Sequence, residues 1–461
     1  MPINSFEDYP MSWRPKFNKD AKPLYTALAN MLEEDIKNKK LLPGTKLPPQ
    51  RELADFLDIN LSTVSRAFKI CESKGLISGS VGSGTYVSYT SISGPHILPH
   101  YEDEKIIELG TVYPKPETDG EIVKLLHTMT TENDFGRYLH YGNEYGELWH
   151  RHAGAAFIGK TGFEPNPENV LFSNGSQNAI CAILSGIFKS GDKIGADPLV
   201  FHGLRAAAKL FGIQLIPITQ KNGEMSRDGI INACKTENIS GLYVIPDHQN
   251  PTTHTMSSKC RKMIAEYSKK YGLTIIEDSI LSLMSRPPLS SIASLAPENT
   301  VVIASFSKII ASGLRFAYMA VPKKFKNDIA NSLYTLNISV SPLMLEIASR
   351  LIVSGAADAI IERHRLFTIK RNQITNRIMR GYQCIGTSES LFRWLILPNN
   401  LDPDFFERKA LLEGVQVYSS TRFAIGNAKP INAVRLAISA PKDDDELEKG
   451  LKIIKNILDK Y

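Results

Sequence analysis

Lys308 stands in Ser305-Phe306-Ser307-Lys308, directly after the apolar run Thr300-Val301-Val302-Ile303-Ala304, which reads as a buried strand. Burial at a strand end lowers a lysine's pKa, and a neutral amine forms a Schiff base with an aldehyde. Gly313 permits a tight turn just beyond, and Arg315 offers a fixed cationic fork for a phosphate or carboxylate. Ile275-Ile276-Glu277-Asp278 places a carboxylate at the end of another apolar run, where acids are seldom buried without a partner or a function. In Ser173-Asn174-Gly175-Ser176-Gln177, backbone N–H groups and the Ser176 hydroxyl at a strand-to-helix turn suit a phosphate. Phe201 offers a flat apolar surface after a third strand, and Asn250, in Gln249-Asn250-Pro251-Thr252, supplies an amide after a fourth. Singly, these are ordinary turn residues, caps and core side chains. Jointly they are what pyridoxal phosphate requires, the carboxylate keeping the pyridine nitrogen protonated so that the ring is an electron sink.

The elements that must position these groups follow from patterning. From Ile106 onward, short apolar runs alternate with helical stretches, the βαβ rhythm of an α/β fold with a mostly parallel sheet covered on both faces. In such sheets ligands bind at the carboxyl ends of the strands, where the candidate residues fall.

The first 90 residues follow another pattern. Apolar residues recur at helical spacing from Leu24 to Ile36, a Pro/Gly-rich break follows, and a short helix is expected over Gln50 to Leu57. A tight turn with Asn60 as N-cap leads into a third helix, with Val64, Ala67, Phe68 and Cys71 on its inner side. Ser62, Thr63, Ser65, Arg66 and Lys69 form its outer side, a small polar and basic face that fits a helix-turn-helix reading DNA. Two short strands around a Gly/Ser tip, Gly75 to Val87, make a β-wing. Residues 89–105 lack periodicity and read as a linker. The expected domains are thus an extension (1–19), a DNA-binding domain (20–88), the linker, and a large domain (106–461).

Bulk properties narrow the class. The chain has 461 residues, 43% hydrophobic and 22% charged, which fits a multidomain globular protein. No run of about 18 apolar residues is present, so no membrane span is expected. The five scattered cysteines read as reduced thiols of a cytoplasmic protein, and no metal-ligand spacing occurs. Net charge is +6, of which the first 90 residues carry +2, so charge alone does not single out a nucleic-acid face.

Two resemblances rest on these residues. Pro43-Gly44, Leu47-Pro48, Arg51-Glu52-Leu53-Ala54, Ser62-Thr63-Val64, Arg66-Ala67 and Gly82-Ser83-Gly84-Thr85-Tyr86-Val87 resemble the winged helix of GntR regulators. This implies DNA contacts from Arg51, Ser62, Thr63, Ser65, Arg66 and the wing around Ser83. Residues from about 106 resemble a fold-type I aminotransferase. By that likeness Lys308 carries the cofactor as an internal aldimine, Asp278 pairs with the ring nitrogen and Asn250 bonds the ring hydroxyl. Phe201 stacks on the ring, while Ser176, Gln177, Ser305 and Arg315 surround the phosphate. Tyr141, in Tyr141-Gly142-x-x-x-Gly146, reaches the phosphate of a neighbouring subunit and implies a homodimer, and Arg435 clamps a substrate α-carboxylate. The sequence departs from the pattern at Leu281, where a tyrosine normally bonds the ring hydroxyl, and at Thr253 and Ser312.

The combination resembles the MocR subfamily of bacterial regulators. It implies a cytoplasmic, dimeric DNA-binding regulator that senses pyridoxal phosphate, or an amine or amino acid, through an aldimine. The alternative is an active aminotransferase with an accessory DNA-binding domain, against which Leu281 argues. A cofactor-free repressor is a third reading, disfavoured because Lys308 and Asp278 would then have no reason to coexist.

Overall fold

The structure is a computed structural model that describes residues 11–16, 23–38, 40–80, 84–88, 106–114, 120–143, 145–286 and 288–461. The N-terminal unit comprises α1 (Leu24–Lys37), α2 (Gln50–Leu57), α3 (Leu61–Ser73), β1 (Ile77–Ser80) and β2 (Gly84–Val87). Asp58 adopts the left-handed conformation that ends α2, and the Asn60 side chain accepts from the Ser62 N–H at 2.8 Å to start α3. Three residues thus turn one helix into the next. Leu28, Leu32, Leu53, Leu57, Val64, Phe68 and Cys71 close the core under them. Trp13, in the stretch expected to be an extension, also lies in this core and donates its indole N–H to Asp35 Oδ2 at 3.0 Å. β1 and β2 pair antiparallel from Ile77↔Val87 to Ser80↔Gly84; Ser83, at the expected wing tip, lies outside the described residues.

The large domain is built on a seven-stranded sheet. Its spatial order is Val170–Ser173, Ala317–Ala320, Thr300–Ser305, Thr274–Asp278, Gly241–Val244, Lys193–Ala196 and Gln214–Pro217. Only Ala317–Ala320 runs against its neighbours, so the sheet is mostly parallel. Side chains alternate between two cores: Val302, Ala304 and Tyr318 pack with Phe157 on one face, while Val301, Ile303 and Met319 pack with Ile183 on the other.

A smaller antiparallel sheet follows, ordered Cys384–Ile385, Arg393–Ile396, Ala433–Leu436 and Tyr418–Ser419. Sequence patterning did not indicate it: two of its strands are only two residues long, and the two four-residue strands each carry a buried arginine, Arg393 and Arg435, that interrupts the apolar run. The expected linker, 89–105, lies outside the described residues; just after it, the two-residue strand Ile107–Glu108 pairs with Val415–Gln416. The chain from the N-terminal unit thereby enters the C-terminal lobe before reaching the large sheet. Among the described residues no helix is long and apolar enough to cross a membrane.

Candidate cofactor site and DNA interface

Lys308 follows the Thr300–Ser305 strand, and Asp278 closes the strand beside it, where it pairs with Ile303. Parallel pairing therefore puts the amine and the acid at the same edge. Lys308 Nζ donates to the Val112 carbonyl at 2.8 Å. Burial first, then the charges of Arg435 and Arg315, holds the amine down to about 8. Asp278 is 1% exposed, and burial pushes its acid up to about 6. Its Oδ2 accepts from the Tyr243 hydroxyl at 2.6 Å, while Oδ1 has no hydrogen-bond partner. An orphaned, buried carboxylate oxygen calls for a donor.

Gly175 precedes the helix Ser176–Ile187 with φ 82°, and no side chain caps that helix. A Cβ at Gly175 would meet Arg315 Nη2 at 2.9 Å, so the glycine lets the guanidinium lie against the helix start. Arg315 Nη1 also donates to Ser307 Oγ at 3.1 Å, and the Ser307 N–H donates to Ser305 Oγ at 3.2 Å. An uncapped helix N-terminus, a guanidinium and three hydroxyl residues make an anion cradle. Gln177 turns instead to the Gly203 carbonyl (2.9 Å), in the first turn of the helix His202–Leu210 whose N-cap is Phe201. A Cβ at Gly203 would strike both Gln177 Oε1 (2.1 Å) and Phe201 Cε1 (2.3 Å), so that close approach is open only to glycine.

Arg435 comes from the smaller sheet. Its Nη1 donates to Asn250 Oδ1 at 2.6 Å, its Nη2 to the Gly110 carbonyl, and Nε is unpartnered. The guanidinium lies 4.9 Å from the Phe423 ring, 5.4 Å from Phe392 and 5.5 Å from Tyr418. It is 2% exposed, and burial brings its pKa down to about 10. Its direct hydrogen-bond partners are neutral, so a carboxylate is the natural complement. Asn250, its Oδ1 engaged, keeps an amide N–H₂ to donate.

Lys308, Asp278, Asn250, Arg315, Ser305, Ser176, Phe201 and Arg435 thus fall around one edge of the sheet. Tyr141 does not join them: it is 82% exposed on its own chain. Leu281 is buried and brings no hydroxyl. Sequence reasoning missed four contributors. Tyr243 carried a signal, a hydroxyl-bearing aromatic in a buried strand, and Ser307 sat beside the lysine. The Gly110 and Val112 carbonyls carried none, since any residue has one. His202 was also passed over; burial, then the charges of Arg435 and Lys308, holds it well below the ordinary histidine range.

In the N-terminal unit Arg51 and Ser62 are exposed and Thr63 is half-buried on the outer side of the helix pair. Ser65 Oγ donates to Gln50 Oε1 at 2.7 Å, tying α3 to α2. Arg66 lies 5.9 Å over the Tyr25 ring of α1. Lys46, which sequence reasoning had not singled out, sits 5.8 Å over Tyr86 on the wing.

The family comparisons match both halves. Residues 105–454 match aminotransferase class I and II, and residues 24–87 match the bacterial regulatory proteins of the gntR family. An uncharacterized HTH-type transcriptional regulator of Bacillus subtilis (strain 168), YdeF, is 48% identical over 459 residues, covering 100% of this chain and 99% of that one. The chain belongs to the MocR subfamily of GntR-type regulators. NorG of Staphylococcus aureus (strain N315), an HTH-type transcriptional regulator, is 24% identical over 420 residues, 82% of this chain and 94% of that protein. Among solved structures, an archaeal alanine:glyoxylate aminotransferase superposes with a TM-score of 0.72 at 21% identity, over 77% of this chain and 91% of that one. The α-aminoadipate aminotransferase LysN of Thermus thermophilus gives 0.70 at 22%, over 77% and 93%. At those identities the likeness is one of fold. The aminotransferase class I and II match implies pyridoxal 5'-phosphate as the cofactor of this MocR chain. The orphaned Asp278 oxygen and the uncapped helix start beside Arg315 fit its ring nitrogen and its phosphate.

Proposed function

We propose that this MocR protein binds operator DNA through α3 and the wing, holds pyridoxal phosphate at Lys308, and changes its DNA affinity when an amine or amino acid enters that site. When bound, the cofactor supplies an electrophilic aldehyde and an electron-withdrawing ring. Lys308 provides the amine that fixes it, Asp278 accepts the ring N–H, and Asn250 donates to the ring hydroxyl. Phe201 covers the ring, Ser176, Ser305 and Arg315 hold the phosphate, and Arg435 receives a carboxylate. Arg51, Ser62 and Thr63 meet the DNA, with the wing beside them.

The observation that carries this reading is the path of residues 107–112. This segment follows the linker, and its Gly110 and Val112 carbonyls are bound to Arg435 and Lys308. A ligand that engages either side chain acts on the segment leading to the DNA-binding unit. Ligand binding shifts the regulator to the extent that it favours one arrangement over the other.

We further infer a homodimer in the cytoplasm. Tyr141 and its exposed apolar neighbours Leu139 and Leu148 support a second copy on that face, and a DNA partner supports the compartment.

Active transamination is the second reading, favoured by the caged Arg435. Leu281 counts against it, since no hydroxyl there assists proton transfer. A spectral titration of the full-length protein with amino acids and amines, keto acid being assayed alongside, separates the two. A cofactor band that shifts and holds without product supports the sensor. Continuous keto-acid production refutes it.

A further inference from the structure

The Asp278 carboxylate is held by a residue outside the recognised cofactor motifs. Tyr243 lies on the Gly241–Val244 strand, opposite Ile276 of the neighbouring parallel strand. Residues two apart in a strand share a face, so Tyr243 and Asp278 are diagonal neighbours on one face of the sheet. The hydroxyl donates to Asp278 Oδ2 at 2.6 Å, both residues are 1% exposed, and Oδ1 is left without a partner.

We propose that Tyr243 is a positioning residue for the cofactor: its hydroxyl occupies Asp278 Oδ2, keeps the carboxylate ionised, and leaves Oδ1 to receive the ring N–H. The proposal rests on the reading of Asp278 above. One proton is shared between the ring nitrogen and the acid. A buried carboxylate with no other support takes that proton itself, and a hydrogen bond to its ionised form returns the proton to the ring. Tyr243 serves as donor because its phenol stays protonated. Burial first, then the charge of Asp278, holds it well above the ordinary tyrosine range, with Asp197 adding to the effect. Ile280 N–H gives the acid lesser support. With Leu281 in place of the family's tyrosine, Tyr243 brings a phenol to the ring-nitrogen end of the cradle.

The test uses full-length Tyr243→Phe, which keeps the ring and removes the hydroxyl. Cofactor affinity is read by titration, and ring protonation by ¹⁵N NMR of pyridoxal phosphate labelled at the ring nitrogen. The expected result is a Kd raised about tenfold or more, with the ¹⁵N resonance moved from the pyridinium toward the neutral position. A Kd within about twofold of wild type and an unmoved resonance would reduce Tyr243 to core packing and overturn the proposal. If that variant does not fold, 2,3-difluorotyrosine at position 243, a stronger acid and donor, must move the resonance toward pyridinium; an unmoved resonance overturns the proposal. Asp278→Asn is the control. An unchanged resonance there shows that the acid is not the ring's partner, and fails the underlying reading along with the role of Tyr243.

Discussion

Arg435 Nη1 and Asn250 Oδ1 lie 2.6 Å apart, joining side chains 185 residues apart in sequence. One belongs to the smaller sheet and the other to the loop after the Gly241–Val244 strand. The bond orients the amide so that its N–H₂ is the end left to donate, and it holds the guanidinium fork in place. The carboxylate clamp and the ring-hydroxyl donor are therefore mechanically one unit.

Replacing Arg435 with lysine keeps a charge but loses the fork. In a spectral titration, the amino-acid concentration that half-shifts the cofactor band should rise by about tenfold or more. Cofactor affinity should fall only a few-fold, because Asn250 is still present. Equal loss of both would mean that Arg435 serves the cofactor and not the ligand.

Lys308 must lose a proton before it attacks an aldehyde. With its amine held at about 8, the rate of cofactor capture should rise about tenfold per pH unit below that value and level off above it. Stopped-flow absorbance over that range checks this. The folded value lies below the ordinary lysine value of 10.5, so the unfolded chain binds the extra proton between about 8 and 10.5. The cofactor-free protein therefore gains stability from this group as pH rises through that window, and Lys308→Met abolishes the gain.

Arg51 is exposed beside α3. Arg51→Ala should weaken DNA binding and lower the slope of log Kd against log salt by about 0.9, the signature of one lost phosphate contact. Fluorescence anisotropy at several salt concentrations measures it. An unchanged slope with weaker binding would assign Arg51 to a base edge instead.

Trp13 is 4% exposed in the small-domain core. Trp13→Ala should cost that domain about 3–5 kcal/mol. Calorimetry of the full chain should show the small-domain transition shifted down and the large-domain transition in place.

Much of the site was legible because it lies where patterning is strongest. Thr300–Ser305 and Thr274–Asp278 are wholly buried strands, so their apolar runs announce them and mark Lys308 and Asp278 as anomalies at their ends. The Asn60 cap and the inner face of α3 were readable for the same reason: local chemistry sets them. Trp13 was not, since a lone aromatic in a polar stretch carries no period. Nor was the smaller sheet that positions Arg435, whose short strands are specified by long-range pairing such as Trp394↔Arg435↔Tyr418. Carbonyl contacts such as Val112 to Lys308 leave no trace in side-chain identity.

On the proposed function, occupancy of the Lys308 site governs DNA binding. The most direct test takes a DNA fragment selected from genomic DNA by the full-length protein. Its affinity for wild type and for Lys308→Ala is then measured with and without pyridoxal phosphate and the amine or amino acid that shifts the cofactor band. About a tenfold or larger change is expected for wild type and none for Lys308→Ala. Equal affinities for both proteins under every condition would contradict the proposed function.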